Sequence, residues 1–135
     1  MRKALAIVMI WAAPCLAETG PSQAALDDAV KLGAVATLAP LCGLRDEAWS
    51  FDLRRATIMD STRTTGPDDP ALRQAPGSQL SIGALSFAEA EALEDFAAGP
   101  PGQTCGPLAS NPDLTRADHM VKTFRALRGP GKPGS

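Results

Sequence analysis

Leu26, Val30, Ala34, Leu38 and Cys42 recur every four residues and draw one apolar stripe along a helix that begins near Gln23. Ser22 stands where an N-cap is needed, with Asp27 and Asp28 placed towards the positive end of that helix. Pro40 removes one helical hydrogen bond and kinks the last turn, while Gly43 followed by Leu44 reads as a glycine C-cap with its hydrophobic contact. A second helix is predicted from Glu47 to about Met59, capped by Asp46, with Trp49, Leu53 and Ala56 on one face and Phe51 and Ile58 on the other. A helix that is apolar on both sides is either sandwiched between neighbours or carries an exposed seam. The second option makes Phe51 and Ile58 candidate partner-binding residues.

Between Asp60 and Gln79 the pattern fails. The stretch is polar and broken by Pro67, Pro70 and Pro76, so it reads as one long loop, with room for a single helical turn at 70–74 behind an Asp69 cap. Leu80 to Leu85 is read as an extended approach to a third helix. Ser86 and Glu89 then form a capping box, with Leu85 stapled onto Ala90, and the helix runs to Ala98 before Gly99, Pro100 and Pro101. Its buried side is predicted to carry Phe87, Ala90, Leu93, Phe96 and Ala97, leaving Glu91, Glu94 and Asp95 in water. Gly99 to Ser110 is a connector holding Cys105. Asn111 caps a fourth helix, Pro112 to Arg128, whose stripe is Leu114, Ala117, Met120, Val121, Phe124 and Leu127. The sum is an all-α, small four-helix domain over 18–128 with a disordered tail at 129–135.

The N-terminus adds a compartment. Arg2 and Lys3, the apolar run Ala4 to Ala13, Pro14 and the small residues around Ala17 match a signal peptide over 1–17. The apolar run is about half the ~20 residues a membrane span requires; a membrane anchor and a lipid-modified Cys15 are the alternatives. Cleavage removes 17 of 135 residues, leaving 118, and leaves Cys42 and Cys105 as the remaining cysteines, in a periplasmic or secreted setting where disulfides persist. Their bridge closes a loop of about sixty residues and stabilises the fold by roughly 4 kcal/mol. A bridge between two chains is the alternative. Such a staple matters because tyrosine is absent and a core of Ala, Leu and Val buries little area per residue. All fifteen acidic residues lie beyond position 17, so loss of Arg2 and Lys3 moves the formal net charge from −2 to −4. That argues against a nucleic-acid partner.

Candidate chemistry is sparse. His119, the sole histidine, falls on the polar side of the last helix, and no nucleophile elbow, zinc-protease motif, phosphate loop or haem attachment site is present. Asp27-Asp28, Asp46-Glu47 and Asp68-Asp69 resemble paired catalytic carboxylates but are explained by helix starts and a turn. Catalytic, cofactor-binding and metal-ligating residues are therefore not assigned. A redox role for Cys42 and Cys105 is disfavoured by their separation along the chain.

Leu32-Gly33, Leu41-Cys42-Gly43, Trp49 seven residues past the cysteine, and Thr104-Cys105 downstream resemble a family of small exported proteins, mainly alphaproteobacterial. The resemblance implies a helical periplasmic domain with paired cysteines and implies no activity. The function expected is a non-enzymatic, envelope-associated protein-interaction module that uses another envelope protein as partner, docking through the long 60–79 loop or the Phe51 and Ile58 side of the second helix. A small hydrolase or ligand-binding protein, with a pocket formed only in the fold, is the alternative.

Overall fold

Ser22 accepts a hydrogen bond from the Ala25 amide at 3.1 Å, and from this cap the chain winds into α1, Gln23–Leu41. The computed structural model describes residues 22–62 and 76–128, and these form five α-helices and no strand. After α1 come α2 (Glu47–Thr62), α3 (Pro76–Ala97), α4 (Pro101–Ala109) and α5 (Pro112–Leu127). The signal-peptide segment, the centre of the 60–79 stretch with its 70–74 turn, and the tail lie outside the described residues. No described helix is long and apolar enough to cross a membrane.

α1 is the central element and touches the other four. Its buried positions, Ala29, Leu32, Gly33, Val35, Ala36, Thr37 and Ala39, therefore wrap most of its circumference instead of following the four-residue stripe. Leu38 and Cys42 pack at the margin of the core, and Leu26, Val30 and Ala34 are half-buried. The end of α1 forms as expected. Gly43 takes φ +70°, its amide donates to the Pro40 carbonyl at 3.1 Å and the Leu44 amide donates to Ala39 at 2.9 Å, which is a Schellman motif. α2 starts behind Asp46, whose Oδ1 accepts from the Trp49 amide at 2.8 Å, and continues to Thr62, three residues past the expected end. Trp49, Leu53 and Ala56 point into the core alongside Leu32, Val35, Leu108, Leu114 and Val121.

α3 departs most from expectation. It begins at Pro76, so Leu80 to Leu85 is helical rather than extended, and Ser86 lies inside a helix instead of capping one. Its inward face carries Ser81, Leu85, Ala88 and Ala92, whereas Phe87, Ala90, Leu93 and Ala97 are exposed and Phe96 is half-buried. The reason is steric. A Cβ placed on Gly33 of α1 would lie 2.8 Å from the Ala88 Cβ and 3.3 Å from the Leu85 Cα, so the two helices cross too closely for a phenylalanine face. A side-chain hydrogen bond between Ser61 and Ser81, 2.5 Å long, secures α2 to the N-terminal half of α3.

The expected connector around Cys105 is α4, which makes five described helices where four were predicted. Pro101 takes the first helical position, where a missing amide costs nothing, and Leu108 is the side chain the helix buries. α5 follows its predicted cap, with Asn111 Oδ1 accepting from the Asp113 amide at 2.9 Å. Leu114, Ala117, Val121 and Phe124 are buried and Met120 packs against them, but Leu127 is 55% exposed, the inward position of that turn being taken by Arg128, whose side chain is 6% exposed.

Candidate functional site

The two cysteines meet within the chain. Cys42 at the end of α1 is bonded to Cys105 in α4, with Cα atoms 5.4 Å apart, so the interchain alternative does not apply. Beside this bridge Arg45, Trp49 and Asp118 lock the α1–α2 turn onto α5. Arg45 Nε and Nη2 donate to both oxygens of Asp118 at 2.8 and 2.5 Å, the Trp49 indole donates to the same carboxylate at 2.9 Å, and the Arg45 guanidinium lies 5.7 Å from the Trp49 ring centroid. The hydrogen bonds from Arg45, reinforced by its charge and by Trp49, hold the Asp118 carboxyl below the usual carboxylate range against the opposing effect of burial. These hydrogen bonds, with a further one from Arg45 to the Leu44 carbonyl, all run between neighbours in the fold, which is the arrangement of a brace.

A second polar cluster sits between α2 and α5. Asp52 has no solvent exposure, and it accepts from Arg125 Nε at 2.7 Å and Arg128 Nη1 at 3.1 Å. Arg128 and Arg55 also lie 5.5 and 5.6 Å from the centroid of the buried Phe124 ring. Nothing in the sequence pattern of α2 marked Asp52 as internal. The usable signal was its neighbourhood, since Phe124 and the arginines at the end of α5 form a cation-rich seam that needs a carboxylate opposite.

The remaining residues singled out in the sequence are dispersed. His119 is exposed on α5 and has no hydrogen-bond partner among the described residues. Asp27 accepts from Gln23, Asp28 pairs with Arg116 at 2.7 Å, and Asp46 caps α2, while Asp68 and Asp69 lie outside the described residues. The hydrogen bond from Arg116 to Asp28 raises the arginine's pKa above its ordinary value. Among the described residues no group of three His, Cys, Asp or Glu side chains is placed to hold a metal.

Apolar surface is the feature that stands out. Phe51 is 50% exposed on the outer side of α2 with Arg55 5.8 Å from its ring centroid, and Ile58 is half-buried two turns further along the same side. On α3 Leu80, Ile82, Phe87 and Leu93 are all exposed, Phe87 to 57%. The sequence reading placed Phe87 and Leu93 in the core, because large apolar residues usually win the inward face. Comparison with known proteins adds no constraint: no family model matches the chain, and neither a curated protein nor a solved structure matches it.

Proposed function

We propose that the protein is an exported, disulfide-clamped helical module of the bacterial envelope whose work is to bind another protein. The observation that carries this reading is the helical surface itself: α3 has two apolar faces and one of them, with Phe87 and Leu93, is left outside, next in kind to Phe51 on α2. Exposed apolar surface of this extent is a liability unless something covers it. The intrachain disulfide, the basic, apolar and small-residue order at the N-terminus, and the resemblance to small exported alphaproteobacterial proteins support the compartment.

Three measurements test the reading. Protein recovered from the envelope is expected to begin at Glu18 with Cys42 and Cys105 oxidised, and an unprocessed Met1 with both thiols free would overturn the compartment. A photo-crosslinking residue at position 51 or 87 is expected to trap a partner in living cells, whereas the same probe at exposed Lys122 on α5 is not. Replacing Phe51 and Ile58 by Ser is expected to leave the thermal midpoint within a few degrees; a larger drop would show that this side of α2 is core.

A further inference from the structure

We infer that the outer face of α3 is a docking groove for a cationic amphipathic helix of another protein, an assignment that rests on the protein-binding reading above and names the chemistry of the partner. Leu80, Ile82, Phe87 and Leu93 are exposed along α3. At 1.5 Å per residue the thirteen steps from Leu80 to Leu93 cover about 20 Å, the length of a helix of three to four turns. Glycine and alanine lie between the large residues, at Gly83 and Ala90, and a Cβ on Gly83 would meet nothing within 4 Å, so a second helix can approach closely along the middle of this face.

Charge selects among the possible occupants. The 22 residues of α3 include Glu89, Glu91, Glu94 and Asp95 and no lysine or arginine. Arg54 lies 3.9 Å from Glu89, but Glu91, Glu94 and Asp95 have no ion-pair partner among the described residues. Glu94 and Asp95 moreover stand in the last turn, at the negative end of the helix dipole, where a carboxylate disfavours the helix that bears it. A surface that keeps Glu91, Glu94 and Asp95 without an ion-pair partner among the described residues, with large apolar side chains beside them, is complementary to lysine or arginine flanking an apolar stripe. A second copy paired through its own α3 would bring the same carboxylates and no cation, and an anionic lipid surface would be repelled.

The test uses the disulfide-bonded protein and two synthetic helical peptides of about sixteen residues, each with leucine on one face and either lysine or glutamate on the other. The lysine peptide is expected to bind, with affinity falling at least tenfold for Phe87→Ser with Leu93→Ser, at least tenfold for Glu91→Lys with Glu94→Lys, and further as salt is raised; the glutamate peptide is expected not to bind. Phe87 and Leu93 are on the surface, so both double variants keep their fold, which circular dichroism and the thermal midpoint verify. Equal binding of the two peptides, binding unaffected by either double variant, tighter binding to anionic vesicles, or a dimer lost in the Phe87 variant would overturn the assignment. If crosslinks form in cells at position 87 while the lysine peptide fails, the partner chemistry is wrong and the binding reading stands; if no crosslinks form at 51 or 87, both fall.

Discussion

An aspartate fully withdrawn from water persists in a helical core when cations reach it, and Asp52 is met by two, Arg125 and Arg128. The two partners differ. The Arg128 side chain is 6% exposed, so its charge shares the buried environment, whereas that of Arg125 is 46% exposed and its attraction is screened. Asp52→Ala is therefore expected to cost about 3 to 5 kcal/mol in urea unfolding, because it leaves the buried end of α5 without its carboxylate, and Arg125→Ala about 1 kcal/mol or less. Equal costs would mean that Arg125 carries the buried pair. Asp118 makes the complementary case at the surface. Its pKa is depressed in the fold by Arg45, so its stabilising effect is present above the unfolded value near pH 4 and is lost as pH falls through the lower folded value. Asp118→Asn is expected to unfold more readily than the native protein at neutral pH, by about 1 kcal/mol, and to match it increasingly closely below pH 4; a gap that stays constant on acidification would detach the effect from ionisation.

At the scale of the helices, packing between α1 and α3 is set by Gly33 and Ala88, not by the largest side chains. Alanine is favoured over glycine in a helix by about 1 kcal/mol, yet a Cβ at Gly33 would sit 2.8 Å from the Ala88 Cβ, and neither atom can swing aside. Gly33→Ala is accordingly expected to lower stability by about 1 to 3 kcal/mol, and adding Ala88→Gly to restore most of the loss, both read by thermal unfolding. A net gain from Gly33→Ala alone would show that the helices part freely. This contact also explains what the sequence made legible. Caps are local chemistry, so Ser22, Asp46, Gly43 and Asn111 were read correctly from the residue and its near neighbours. The face of α3 is decided by a glycine more than fifty positions away, so the local rule that puts Phe87 and Leu93 inward had no access to it, whereas the start at Pro76, a residue type favoured at the first helical position, was a local signal read as a loop breaker. The exposed apolar side of α2 at Phe51 was visible as a helix apolar on two sides, while the larger exposed apolar face of α3 was concealed by the same misassigned face.

For the whole molecule the Cys42–Cys105 bridge acts in two places at once. It shortens the unfolded chain's reach across a sequence separation of 63, worth about 4 kcal/mol in the loop-closure account, and it ties down the element that has least else to hold it. α4 is nine residues long, its N-cap makes no side-chain hydrogen bond, Pro107 interrupts its interior, and Leu108 is its buried side chain. Helices that short are marginal in water without tertiary support. The effects separate in experiment. Replacing both cysteines by Ser is expected to lower the urea midpoint strongly while raising the denaturant dependence of unfolding, since the released chain exposes more surface. Under native conditions the same variant is expected to lose hydrogen-exchange protection across Pro101–Ala109 well before α1 or α5, whose cores around Leu32 and Phe124 do not depend on the sulfurs. If α4 stays as protected as α5 after reduction, its packing through Leu108 suffices, and the bridge acts on the unfolded chain alone.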